Sequence, residues 1–178
     1  MNGMYRGGKR TVRVLLGIST ASVAAVGSIA VLAGGTASAA TLDCSARSQD
    51  QTTVIGASAC RAVADDTSNA ISRVYGDGVA AADSRDGGFA AGISLFGGVS
   101  AAESRAGALA SIAVGPDSLA LGRTDSAPLA LVISGPGGRA AVGDASVGAI
   151  CAGGPSLVFN VATGQGCVSD GARVWSLP

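Results

Sequence analysis

Residues 79–108 read VAAADSRDGG, FAAGISLFGG and VSAAESRAGA, three consecutive blocks of ten residues with one shared layout. A large apolar residue opens each block, alanine or serine follows, serine holds the sixth place, and the block ends in Gly-Gly or Gly-Ala. Cutting at the same interval as far as residue 158 gives a first column of Val79, Phe89, Val99, Leu109, Leu119 and Leu129. Self-similarity at a fixed interval is typical of a repeat architecture.

Each block predicts one short strand followed by one turn. Glycine destabilises helix interiors by about 1 kcal/mol per residue, so recurrent Gly-Gly pairs disfavour helices. Side chains of a strand alternate between two faces. In these blocks the even positions hold Ala, Gly and Ser, whereas the odd positions hold larger groups. A column of small side chains allows another backbone to approach closely on that face.

We therefore predict an all-β, single-domain parallel β-solenoid built from ten-residue repeats. Two blocks would make one coil of about twenty residues, so that each coil stacks on a copy of itself. The alternative is an antiparallel β-sandwich or barrel in which each block is one strand. In the solenoid, Asp83 and Glu103 would stack about 5 Å apart on one face, with Arg85 and Arg105 beside them.

Residues 1–39 have the layout of a secretory signal peptide. Basic residues precede an apolar stretch from Val14 to Ala33, and Ala37-Ser38-Ala39 fits an A-x-A cleavage site, so we expect the mature chain to begin at Ala40. The alternative is an uncleaved anchor, since an apolar stretch of about twenty residues can span a bilayer. The rest is predicted to comprise an N-terminal cap with a disulfide loop (40–75), a repeat β domain (76–150) and a C-terminal cap with a disulfide loop (151–178).

Four cysteines lie in two pairs near the ends of the predicted mature chain: Cys44 and Cys60, and Cys151 and Cys167. An exported chain can form disulfides. Four cysteines allow three pairings, and the equal spacing within each terminal pair favours Cys44–Cys60 and Cys151–Cys167. Neither pair forms a C-x-x-C motif and the chain has no His, which argues against a zinc or redox site.

Composition narrows the possible functions. Without His, the chain has neither a Ser-His-Asp triad nor an imidazole metal site. Beyond the predicted signal peptide, eight Arg stand against all twelve acids, which gives a net charge of −4. A negative surface repels nucleic acid. We therefore expect no nucleic-acid partner, and membrane contact only through the signal segment.

Two sets of acidic residues are candidates for a chemical role, one in catalysis and one in calcium binding. Retaining glycosidases hold paired carboxylates about 5 Å apart, so the predicted stack of Asp83 and Glu103 would fit a hydrolase. The simpler interpretation is a solvent-facing ladder of acids and arginines, which contributes little to stability. Acids in turns are typical of repeat proteins that bind calcium, but here they hold different block positions: Asp77, Asp86, Asp117, Asp125 and Asp144. We expect no catalytic residue, no cofactor and no metal.

Two resemblances accompany this interpretation. Ser111-Ile112-Ala113-Val114-Gly115 and Ser118-Leu119-Ala120-Leu121-Gly122 resemble the head repeats of trimeric autotransporter adhesins, which are parallel β-rolls. That resemblance implies parallel β structure alone. In its Arg-over-Lys bias, its Ala and Gly content and its terminal Cys pairs, the chain also resembles small exported actinobacterial proteins of unknown function. This implies an envelope or secreted location and no assigned activity.

The sequence thus predicts an exported, non-enzymatic cell-envelope or secreted β-repeat protein with a structural or binding role. Its partner would be an envelope component or a second copy of the chain. Trp175, the only tryptophan, is expected to seal the last coil, with contact to a partner as the alternative. The alternative function is a carboxylate-based hydrolase acting on cell-wall glycan.

Overall fold

The computed structural model describes residues 41–124, 128–144 and 148–177, and all its regular elements are β-strands. The predicted signal peptide, Ala40 and Asp125 lie outside these residues. Within them there is no helix, and hence none that could cross a membrane. The strands are β1 Thr41–Ala46, β2 Gln49–Ile55, β3 Ser58–Ala64, β4 Asn69–Tyr75, β5 Gly78–Arg85, β6 Phe89–Leu95, β7 Val99–Ser100, β8 Glu103–Arg105, β9 Ala108–Val114, β10 Leu119–Ala120, β11 Leu129–Ser134, β12 Gly138–Val142, β13 Ala149–Gly153, β14 Pro155–Asn160, β15 Gly166–Asp170 and β16 Val174–Leu177.

These strands form two sheets. From β3 to β12 the chain alternates between the sheets with each half coil, and β7 and β8 together make one half coil of the back sheet. The front sheet has the order β1-β4-β6-β9-β11-β14-β15-β16. The back sheet has the order β13-β12-β10-β7-β5-β3-β2, and β8 also pairs with β5. The result is a β-solenoid of about four turns, which confirms the predicted fold class.

The back sheet shows the repeat directly. Cys60, Ala80, Ser100, Ala120 and Ala140 pair in succession across parallel strands, each twenty residues after the one before. Two ten-residue blocks therefore make one coil, as predicted. At both ends of the solenoid the pairing becomes antiparallel: β1 with β4 and β2 with β3 at one end, and β11 with β14 and β12 with β13 at the other.

The front sheet departs from this spacing at one strand. Phe89 pairs with Ala108, nineteen residues on, and Ala108 pairs with Leu129, twenty-one residues on. The turn before Ala108 is one residue shorter than the turn before Phe89. A shift of one residue reverses the face of every side chain in a strand. Leu109, which the sequence blocks place in one column with Phe89, therefore points into the core and is only 1% exposed.

The core between the sheets is thin and consists largely of Ala, Ser and Gly, as the even columns predict. A methyl group added at Gly92 in the front sheet would overlap the carbonyl oxygen of Ala81 in the back sheet. Interior serines bond to the backbone across this narrow space. Ser100 Oγ donates to the Ser111 carbonyl (2.8 Å), and Ser111 Oγ donates to the Ala120 carbonyl (3.0 Å), so that the hydroxyls link the two sheets.

Disulfides link the two sheets at each end of the core. Cys44 on β1 of the front sheet bonds to Cys60 on β3 of the back sheet. Cys151 on β13 of the back sheet bonds to Cys167 on β15 of the front sheet. The predicted pairing is confirmed. Each bond spans sixteen residues of sequence, a separation at which the chain-entropy model gives about 3 kcal/mol of stabilisation.

Substitution of Gly92 by Ala tests the close contact between the sheets. We expect Gly92→Ala to lower the free energy of unfolding by more than about 3 kcal/mol, because a methyl group has no space beside Ala81. The control is Gly97→Ala, which meets no neighbouring atom but places Ala at a φ of 84°, at a cost of about 1–2 kcal/mol. Urea unfolding without reductant measures both. Equal losses would contradict the close contact.

Candidate functional site

The acids and arginines of the back sheet lie in the predicted register. Asp83 on β5 pairs with Glu103 on β8, and Arg85 pairs with Arg105 in the same two strands. Each arginine also contacts the acid of its own strand: Arg85 Nε lies 3.1 Å from Asp83 Oδ1, and Arg105 Nε lies 3.9 Å from Glu103 Oε1. The hydrogen bond and the charge of Asp83 raise the pKa of Arg85. These four side chains form a charged ladder on the outer surface.

The geometry of this ladder fits a structural role better than acid–base catalysis. A general acid in a glycosidase has its pKa raised by burial. Here Asp83 and Glu103 are partly exposed, and each is matched by an arginine in its own strand. Ion pairs exposed in this way contribute little to stability. The ladder therefore places paired charges on the outer surface of the back sheet.

The turn acids are dispersed and do not converge. Asp77, Asp86 and Asp117 lie in separate turns. In the described ranges no three His, Cys, Asp or Glu residues are grouped so that they could hold a metal ion. Asp125 belongs to the residues that the structure does not describe. The candidate calcium acids thus form no common centre among the residues that the structure describes.

Asp65 has a specific structural role in joining the turns of successive coils. Its carboxylate accepts hydrogen bonds from the Thr67 backbone N–H (3.0 Å) and, one coil further, from the Asp86 backbone N–H (2.7 Å). The Ser68 hydroxyl, followed by the Asp86 N–H, lowers the pKa of Asp65 from its ordinary value of 3.8. The charged form of this carboxylate therefore holds two turns together.

The outer surface of the front sheet is the most distinctive feature of the molecule. On β6, β9, β11 and β14 every outward side chain is apolar, and the apolar row continues onto β15 and β16. We call this surface the front face. Its members are Phe89, Ala91, Ile93, Leu95, Ala108, Ala110, Ile112, Val114, Leu129, Leu131, Ile133, Pro155, Leu157, Phe159, Val168, Trp175 and Leu177.

Charged groups border the front face without entering it. On the N-terminal side, Arg73 of β4 forms an ion pair with Asp43 of β1, with 2.8 Å between Nη2 and Oδ2. On the C-terminal side, charge reappears only at Asp170, the last residue of β15, and at Arg173. An apolar centre with a charged border is the usual arrangement of a protein interface.

Two aromatic residues are unusually accessible at this surface. Phe96 follows β6 in a turn, has a φ of 50° and is 71% exposed. Positive φ is strained for a bulky side chain, and turns of this kind favour Asn or Asp. Trp175 is 48% exposed and pairs with Val168 on the outer side of an edge strand. The prediction that Trp175 seals the last coil is therefore wrong, because the inward position beside Cys167 belongs to Ser176.

The front face was not predicted from the sequence, although the sequence contains a pattern that indicates it. Ile93, Ile112 and Ile133 fall on three successive front strands and pair with one another, although Ile112 holds an even position of its block. A row of β-branched residues opposite a row of Ala and Ser indicates two sides of different chemistry. The alignment in blocks of ten places front and back strands in the same columns. It therefore does not show that their outer surfaces differ.

Comparison with known proteins gives a family and no activity. Residues 8–170 match the family described as "Family of unknown function (DUF6764)". No curated protein and no solved structure matches the chain. Any functional conclusion must therefore come from the surfaces described above.

The turn carboxylate predicts a defined dependence of stability on pH. Because folding lowers the pKa of Asp65, its charge stabilises the fold above the ordinary value of 3.8 and loses that contribution as the pH falls. We expect Asp65→Asn to lower the melting temperature at neutral pH, and this deficit to shrink towards about pH 2. The control is Asp77→Asn, in a separate turn. A deficit that stays constant with pH would contradict the assignment.

Proposed function

We propose a role for this chain from its geometry, since it belongs to the DUF6764 family, whose function is unknown. The chain is an extracytoplasmic, non-enzymatic scaffold protein of the cell envelope or the secreted fraction. It binds a macromolecular partner through the front face. The stacked strands of the solenoid present that face along one side, and two disulfides link the sheets near its ends.

The uncharged front face is the observation that carries this proposal. Six strands about 4.8 Å apart, each up to about 20 Å long, give a footprint of roughly 600 Å². The largest apolar patch of a typical monomer covers about 300–600 Å² and is often functional. A surface at the upper end of this range, without a charged group at its centre, supports a role in binding.

The proposed location rests on two independent features. Disulfides persist in oxidising compartments and are rare in the cytosol, and the described residues contain two. The N-terminal sequence has the layout of a secretory signal. Both features support export. The charged ladder on the back sheet would keep the opposite surface in solvent.

Site-specific photo-crosslinking tests the binding role. A benzophenone-bearing amino acid would replace Phe89 or Phe159 on the front face, or Val99 on the outer surface of the back sheet. All three side chains are 39% exposed, so their accessibility is matched. The full chain would be expressed in an exporting bacterial host and irradiated in intact cells. We expect discrete adducts from the two front-face positions and none from Val99, as judged by electrophoresis and mass spectrometry.

The outcomes separate binding from mere exposure. Adducts of one defined mass from both Phe89 and Phe159 would support the front face as a binding surface. Adducts of equal yield from Val99 would indicate unspecific contact and contradict the proposal. A complete absence of adducts from the front face would contradict it as well.

Substitution in the charged ladder tests the absence of catalysis. We expect Glu103→Gln and Asp83→Asn to leave any release of sugar from a cell-wall glycan preparation unchanged from the wild-type level, because both carboxylates serve as ion pairs. Arg123→Gln, on the same surface, is the control. Release of sugar by the wild type that is lost in Glu103→Gln or Asp83→Asn and kept in Arg123→Gln would favour the hydrolase.

A further inference from the structure

We infer that the partner bound by the front face is a second copy of this chain, and that two solenoids pack face to face as a symmetric dimer. This inference rests on the proposed function and names its partner. The chemistry, the area and the charged border of the front face favour a second copy of the chain as its partner.

The chemistry of the front face is that of one half of a β-sandwich core. In the solenoid the small residues point inward, and large apolar residues such as Ile93, Ile112 and Ile133 point outward. In a β-sandwich, residues of this kind interdigitate with those of a second sheet about 10 Å away. A second copy supplies such a sheet with the same composition and the same strand spacing.

The front face lacks the groups that a polysaccharide or an anionic lipid surface requires. A polysaccharide needs hydrogen-bonding side chains, and among the members of the face only the Trp175 indole N–H can supply one. An anionic lipid surface needs basic residues. Here Arg73 at the border is already paired with Asp43, and the predicted mature chain is acidic.

The area of the face is large enough for a specific interface between two copies. A footprint of roughly 600 Å² on each copy gives about 1,200 Å² for the pair, which reaches the lower limit for specific protein interfaces. Homodimer interfaces are more apolar than other interfaces and are depleted in charge at their centre. The front face has both properties.

A twofold contact is closed, because both copies use the same surface. The ion pair of Arg73 and Asp43 marks one border of that surface, and Asp170 lies at the other. Extension of the contact past this border would have to remove the Arg73–Asp43 ion pair from water, and that desolvation is costly. Phe96, exposed and held at positive φ, lies directly beyond Leu95 at the edge of the face. Its ring is available to the second copy.

The mass of the exported protein in solution tests the dimer. The full chain is expressed in an exporting host, and the released form is studied by sedimentation equilibrium over a wide range of concentration. We expect twice the mass of one chain. Ile112→Glu places a carboxylate at the centre of the face in both copies. We therefore expect the dissociation constant of the dimer to rise roughly 100-fold or more. Leu121→Glu on the back sheet is the matched control and should remain dimeric.

A second front-face variant guards against loss of folding. Leu129 is half-exposed at the edge of the face, so Leu129→Glu is tolerated by the fold and should also shift the protein to single chains. Circular dichroism and thiol titration verify that each variant keeps its β structure and both disulfides. A wild-type protein with the mass of one chain, or a dimer that survives both front-face substitutions, would overturn the inference.

Photo-crosslinking distinguishes failure of the dimer from failure of the proposed function. Adducts at twice the chain mass from Phe89 and Phe159 support both. Adducts to another molecule, to lipid or to the N-terminal segment of the same chain overturn the dimer. Among these outcomes, adducts to another macromolecule would still support the proposed binding function of the front face. Without front-face adducts and with single chains in solution, both proposals fail.

Discussion

Close contact between the front and back sheets is the constraint on which the rest of the structure depends. Gly92 faces the backbone of Ala81 so closely that not even one methyl group fits between them. Only Ala, Gly, Ser and a few larger residues can therefore point inward. Most large apolar side chains of the front strands are consequently placed outside, where Ile93, Ile112 and Ile133 form a continuous row. The usual separation of apolar interior from polar surface is reversed on this sheet.

A thin core provides little hydrophobic stabilisation, since that contribution follows the apolar area removed from water. Three other kinds of interaction accompany it here. Interior hydroxyls such as that of Ser111 bond to the backbone of the opposite sheet. The carboxylate of Asp65 links the turns of neighbouring coils. Disulfides cross the core at each end, where a solenoid lacks a further coil to stack upon. A second copy on the front face would bury the apolar area that the interior does not.

The predictable part of this structure was its periodic part. The ten-residue columns placed Asp83 opposite Glu103 and Arg85 opposite Arg105, and the structure confirms both pairs. The equal spacing of the cysteines indicated the correct disulfides. Leu109 was misplaced because one turn is shorter by a single residue, and the alternation of side chains converts that small change into a reversal from outside to inside. The site was harder to predict than the fold, since the ladder followed from register while the front face did not.

The sequence by itself determined that strands of small residues stack every twenty positions and which cysteines join, because both depend on spacing along the chain. The tertiary structure alone decided what each outer surface became. Asp83 and Arg85 lie one block before Ile93 and Leu95, and they occupy opposite surfaces only because consecutive blocks alternate between the two sheets. Charge was thereby collected on the back sheet and apolar area on the front. A one-dimensional repeat cannot show this separation, because it appears only when every second block is brought side by side.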